Sequence, residues 1–211
     1  MISALDALKR LREGNHRFVS GNGRDHTQRS QTLRNELVDG QAPFAIILGC
    51  SDSRVPAELV FDQGLGALFV IRIAGNIVAP SQIASVEFAA EQFGTPLVVV
   101  LGHSRCGAVS ATLQHLTSPR PPASRSEHMH SIVARVSPAV EPLLATDLRH
   151  DHDALMCQAI RANVRISADH LRHGSEILEE RIARGSLMIV GAEYSLETGE
   201  VDFFDGVPPT A

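Results

Sequence analysis

No stretch of this sequence approaches the ~18 consecutive apolar residues that cross a bilayer, which excludes a chain built around a membrane-spanning helix. Basic charge is also scarce. Nineteen Lys and Arg stand against 24 Asp and Glu, for a net charge of -5 with His neutral. Binding to phosphate backbones needs a basic face, so nucleic acid is excluded as the main partner. Cysteine is rare and odd in number, three in 211 residues, which does not make a secreted disulfide framework. Thiols kept reduced and free for a metal fit that count better. The opening segment MISALDALKRLREGN is charged and amphipathic and lacks the apolar stretch of a signal peptide. Together these absences lead to the expectation of a cytoplasmic protein. No internal repeat and no second domain are visible.

What is present is an ordinary globular composition, 44% hydrophobic and 20% charged, at a length sufficient for one core. Leu5, Leu8 and Leu11 recur at helical spacing and Phe18 extends the face, with Gly14-Asn15 as an interruption and Gly21-Asn22-Gly23 as the end. Residues 1–30 therefore read as an N-terminal helical arm and polar loop, part of the same single domain as 31–211. Phe44 to Gly49, Ala67 to Ile73, Leu97 to Gly102 and Leu187 to Tyr194 are apolar at nearly every position, as in strands buried on both faces of a parallel sheet. Between them, helical patterns run over Ser81 to Phe93, Ala108 to Leu116, Ala154 to Leu171 and Ser175 to Ala183, the last stopped by Gly185. A turn at Glu197-Thr198-Gly199-Glu200 returns Val201 to Phe204 as a short antiparallel edge strand, and the segment Ser118 to Ser126, rich in Pro, Ser and Arg, reads as a loop. The expected class is α/β, a mostly parallel central sheet flanked by helices.

The chemistry gathers at the strand ends. Cys50 directly follows the first strand, in Cys50-Ser51-Asp52-Ser53-Arg54, and His103-Ser104-Arg105-Cys106 follows the third. Open parallel sheets place their sites outside the carboxyl ends of the strands, so both groups emerge on one edge. His103 and Cys106, at i and i+3 across the turn into a helix, can face one ion. Each of the three residues alone reads as a packing or loop residue; together they are a ligand set for zinc, whose preference is for thiolate and imidazole. Three protein ligands rather than four leave a position open for water or substrate, the pattern of catalytic zinc and hydroxide chemistry. Cys106, at a helix N-terminus, is expected to be a thiolate with or without metal. Arg54 offers Asp52 a bidentate partner that keeps it ionised and off the ion, free to accept a hydrogen bond from water. The His128/His130 and His150/His152 pairs read as solvated loop or helix-end residues, and Cys157 as a core residue.

CSDSR after one apolar strand and HSRCGA after a later one resemble the β-class carbonic anhydrases. The likeness extends over Leu11 to Phe18, FVIRIAGN (Phe69 to Asn76), SVEFA (Ser85 to Ala89) and GAEYSLETGEV (Gly191 to Val201). The resemblance implies reversible hydration of CO2 to bicarbonate and a proton by a zinc-bound hydroxide. It implies Cys50, His103 and Cys106 as zinc ligands and Asp52 and Arg54 as the catalytic dyad. Gln41, Phe69, Phe88 and Gly107 fall on the substrate side, with Gln41 reaching a neighbouring subunit, so that a homodimer or larger homo-oligomer is expected. Some members carry an inhibitory bicarbonate site built on Trp, Arg and Tyr. Arg72 and Tyr194 match two of its positions, but the third is Ile47 and the chain holds no Trp, so that site is expected to be absent or weakened. A carbonyl sulfide or carbon disulfide hydrolase on the same zinc site, a non-catalytic zinc or bicarbonate sensor, and a thiol enzyme using Cys50 or Cys106 are the competing readings.

Overall fold

The apolar runs form the strands expected of them. The computed structural model of the chain describes residues 2–24, 34–118 and 127–209. Strands β1 (Ala45–Gly49), β2 (Leu68–Arg72), β3 (Leu97–His103), β4 (Met188–Tyr194) and β5 (Val201–Asp205) make one sheet in the order β2-β1-β3-β4-β5. The β1–β2, β1–β3 and β3–β4 pairs are parallel, and β5 runs antiparallel to β4. Burial on both faces explains the unbroken apolar strands. Ala45, Ile47, Leu97, Val99, Leu101, Val190 and Ala192 pack to one side, whereas Ile46, Leu48, Val98, Val100 and Ile189 pack to the other.

Helices α1 (Ala4–Val19) and α2 (Ala57–Val60) cover the first face, and α3 (Pro80–Gln92), α6 (His152–His173) and α7 (Glu176–Ala183) cover the second. Helices α4 (Gly107–Thr117) and α5 (Glu127–Leu144) join α6 in a third apolar cluster, which also contains Cys50 and Cys106. The helix starts follow capping chemistry: Ser3, Asp151 and Ser175 accept hydrogen bonds from the amides of Asp6, Ala154 and Leu178. Gly185, in the left-handed region at φ 69, follows the end of α7.

Two expectations need correction. Gly14-Asn15 does not interrupt the first helix; α1 is continuous through both. Helix α1 approaches the end of α2 so closely that a Cβ at residue 14 would collide with the Phe61 carbonyl oxygen. Asn15, also buried, donates to the carbonyls of Val60 (3.1 Å) and Gly199 (2.8 Å) and accepts from the Val201 amide. These residues are docking points: Ala7, Leu8 and Leu11 sit in the core of their own chain. The second correction is α5, which has no counterpart in the sequence reading. Pro138 and Pro142 lie inside it, and proline normally argues against a helix interior. The apolar spacing Ile132, Val136, Ala139, Val140, Leu143 carries the helix despite them, since these residues belong to the third cluster. Beyond Ser118, the loop expected up to Ser126 lies outside the described residues, as does the end of the loop expected through Ser30.

Candidate metal centre

Gly49 pairs with Arg72 on one side and Leu101 on the other, so β1 delivers Cys50 to the carboxyl edge of the sheet beside the end of β3. His103 is the last residue of β3, and Cys106 caps α4 three residues later. The turn between them needs Arg105 at φ 56 and is held by Glu197, which accepts from Ser104 Oγ (2.7 Å) and Arg105 Nε (2.6 Å). As a result the Sγ atoms of Cys50 and Cys106 and a ring nitrogen of His103 lie within 4.8 Å of one another, all three residues buried.

His103 Nδ1 lies 2.9 Å from the Ser104 carbonyl oxygen, which can only accept, so Nδ1 carries the proton and donates. Nε2 is then a bare lone pair, buried, with no hydrogen-bond partner among the described residues. Such an orphan is costly in a protein interior and fits a metal ligand. The Gly75 amide donates to Cys50 Sγ at 3.3 Å. The Cys50 thiol is lowered to about 4, first by its hydrogen bond with Cys106 and further by the Gly75 amide, against the opposing effect of burial. The expectation that Cys106 is a thiolate regardless of metal meets an opposing effect in the metal-free chain. Its hydrogen bond to the Cys50 thiolate and its burial push Cys106 up, outweighing the amides of Val109 and Ala108 at the helix start. Two sulfurs holding one proton is an arrangement that a soft cation resolves by displacing it.

Asp52 lies at the rim. Arg54 grips it as a fork, Nε to Oδ1 at 2.9 Å and Nη2 to Oδ2 at 2.7 Å, and the Arg54 amide donates to Oδ1 at 3.0 Å. These bonds hold the carboxyl far below the usual carboxylate range. Asp52 Oδ2 is 3.9 Å from His103 Nε2.

Arg72 has a place the sequence reading did not find. Its Nε donates to the Cys50 carbonyl (3.2 Å) and its Nη2 to that of Asp52 (2.6 Å), clamping the loop that presents both side chains. Ile47 is fully buried in β1. Gly75 and Asn163, which acts on it, were also missed; the only trace in the sequence is a glycine two residues after a strand, within AGN. Of the remaining expected residues, Gln41 and Phe69 lie away from the cluster in this chain, and Gly107 directly follows Cys106. Gln41 is exposed and precedes β1, at the opposite end of that strand from Cys50. Phe69 pairs with Ile46, four residues before Cys50 in register, and makes tilted ring contacts with Phe88 and Phe93 at the β2 edge. Gly107 lines a cavity of about 620 Å³ with Ser104, Arg105, His152, Glu193 and Glu197. His128, His130, His150 and His152 stand at helix ends, as expected, and Cys157 is exposed rather than in the core.

A mostly parallel α/β protein with two cysteines and a histidine converging at the carboxyl edge has the thiolate–imidazole donor set that could hold a metal ion. Comparison narrows this. Residues 45–201 match the family model described as carbonic anhydrase. The chain is 40% identical over 201 residues to carbonic anhydrase 2 of Mycobacterium tuberculosis, covering 95% of this chain and 93% of that one. It is 38% identical to the carbonic anhydrase of Mycolicibacterium smegmatis, covering 93% and 91%. Among solved structures, the β-carbonic anhydrase CcaA superposes with a TM-score of 0.74 at 26% identity, over 97% of this chain and 94% of that one. The β-carbonic anhydrase CafA of Aspergillus fumigatus gives 0.74 at 25% identity, over 87% and 86%. The chain belongs to the carbonic anhydrase family, with the β-class fold. It is a carbonate dehydratase, and the reversible hydration of CO2 is the activity of its family.

Proposed function

We propose that Cys50, His103 and Cys106 hold zinc and that Asp52 and Arg54 form the catalytic dyad beside it. The observation that carries this reading is the buried convergence of two Sγ atoms with the unpartnered Nε2 of His103. Zinc, when bound, supplies the Lewis acidity that makes water a nucleophile near neutral pH. The protein does the rest. Arg54 keeps Asp52 ionised and fixed at the rim of the cluster, where a carboxylate oxygen is available to accept a hydrogen bond from the attacking water and orient it. Arg72 fixes the loop that carries Cys50 and Asp52.

Gln41, Phe69, Phe88 and Gly107 are the substrate side of this reading. Because β1 alone is about 16 Å long at ~3.3 Å per residue, Gln41 serves a site on a second copy rather than its own. β2 is an edge strand, and Phe88 beside it is 51% exposed, a surface suited to burial in a homodimer or larger homo-oligomer. No helix among the described residues is long and apolar enough to cross a membrane, which accords with a cytoplasmic enzyme.

The test is metal analysis of Cys106→Ser beside Asp52→Ala. Cys106→Ser is expected to lose most of its zinc, and Asp52→Ala to keep it. Full zinc occupancy in Cys106→Ser would mean that the ligand set is wrong.

A further inference from the structure

Helix α6 contains a polar residue where stability calls for an apolar one. Asn163 is 1% exposed, on the helix face that also carries the buried Ala159, Ile160 and Val164. Its Nδ2 donates to the Gly75 carbonyl at 2.8 Å, whereas its Oδ1 has no partner among the described residues. A buried amide satisfied at one end only is worse for folding than a leucine of similar shape. Its position points to what the single bond does.

That bond ends one residue from the metal centre. Gly75 sits in the turn Ala74–Asn76 at φ 72, a left-handed conformation, with Ala108 and Val136 packed so close that a Cβ would be 3.0 Å from Ala108 Cβ. The residue is thus held in a shape only glycine adopts freely, and in that shape its own amide points at Cys50 Sγ. The carbonyl of the same residue is the group Asn163 grips. Helix α6 reaches this depth because β3 and β4 present glycines beneath it, at residues 102 and 191. A Cβ on Gly102 would meet Val164 Cγ2 at 2.5 Å, and one on Gly191 would meet Val164 Cγ1 at 2.8 Å. Val164 seats in that notch, and its neighbour Asn163 is carried to Gly75.

We propose that Asn163 is a positioning residue for the metal centre: by anchoring the Gly75 carbonyl, it aims the Gly75 amide at the Cys50 sulfur and so sets how much charge that thiolate gives to a bound metal. The inference rests on Cys50 being a ligand. An N–H donor draws electron density from a sulfur, so its loss makes the thiolate a stronger donor and leaves it less firmly oriented. Outer partners of this kind are typically worth about 10- to 100-fold in metal affinity or activity.

The experiment uses the full chain loaded with cobalt(II) in place of zinc, comparing wild type with Asn163→Leu. Wild type is expected to show a thiolate-to-cobalt charge-transfer band. In Asn163→Leu the band is expected at lower energy, with cobalt affinity down on the order of 10-fold by chelator competition, while Tm of the metal-free protein is unchanged or higher. A folded Asn163→Leu with the wild-type band and affinity, and a lower Tm, would overturn the proposal and leave Asn163 a packing residue. A second measurement stands if the variant does not fold. In wild-type protein loaded with an NMR-active cadmium isotope, the Gly75 amide proton is expected to show a coupling to cadmium through Sγ, and no coupling would overturn the proposal. Wild-type protein with no thiolate charge-transfer band at all would instead sink the ligand assignment beneath it.

Discussion

At the scale of single residues, the site depends on which side chains are kept charged and by what. Asp52 owes its ionised state to Arg54, and both are rim residues that leave the buried ligands untouched. Asp52→Ala and Arg54→Ala are therefore each expected to cut CO2 hydration by on the order of 100-fold or more with zinc still bound, measured as turnover per zinc. Wild-type turnover in either would remove the dyad from the account. Glu193 is a different case. Burial raises its carboxyl above the ordinary 4.5, with Arg161, 3.2 Å away, opposing the shift. The folded state therefore holds this proton more tightly than the unfolded state does. Its contribution to stability is full below the ordinary value and is lost as pH rises through the raised one. Glu193→Gln keeps an acceptor for Arg161 and is expected to flatten the fall of Tm with pH over that mildly acidic window. An identical slope in the variant would show that Glu193 does not titrate there. The convergence of Cys50, His103 and Cys106 and the pairing of Asp52 with Arg54 were legible in the sequence because strand ends and i, i+3 spacing are local facts. Which sulfur keeps a proton was not, because it depends on a contact between Cys50 and Cys106 made across 56 residues.

At the scale of elements, the strands were readable because burial on both faces leaves an uninterrupted apolar run, and boundaries moved by only a residue or so: Phe44 and Ala67 lie just outside β1 and β2. Helix α5 was hidden by Pro138 and Pro142, although its apolar spacing was present, and tertiary packing overrode the local signal. Gly14 misled for a related reason. A glycine inside a helical pattern reads as a break when only propensity is considered, whereas here it permits the close approach to Phe61. Gly14→Ala tests that directly. It is expected to destabilise the chain by about 1–3 kcal/mol by overpacking, read as a lower denaturation midpoint, although alanine is the better helix former. A midpoint at or above wild type would mean that α1 tolerates a methyl group there. Asn15 could not be seen as a clasp from the sequence, since its partners at Val60, Gly199 and Val201 lie 45 to 186 residues away.

At the scale of the whole molecule, one chain carries the Cys50–His103–Cys106 cluster and the Asp52–Arg54 pair at one edge of the sheet and Gln41 near the other. If Gln41 completes a neighbour's site, chains bearing Gln41→Ala and chains bearing Asp52→Ala are each expected to be weak alone. Mixed under conditions that exchange subunits, they are expected to regain activity, because one site in a heterodimer then has both residues intact. No gain on mixing, with exchange demonstrated, would return Gln41 to its own chain or remove it from the site. The central claim, that this chain hydrates CO2 at the Cys50–His103–Cys106 centre, is tested most directly by stopped-flow CO2 hydration on protein of measured zinc content, before and after chelation and after zinc is restored, from mildly acidic to alkaline pH. The account predicts fast turnover that scales with zinc, rises with pH, vanishes on chelation and returns with the metal. Turnover that survives complete removal of zinc, or none at full occupancy across that range, would contradict it.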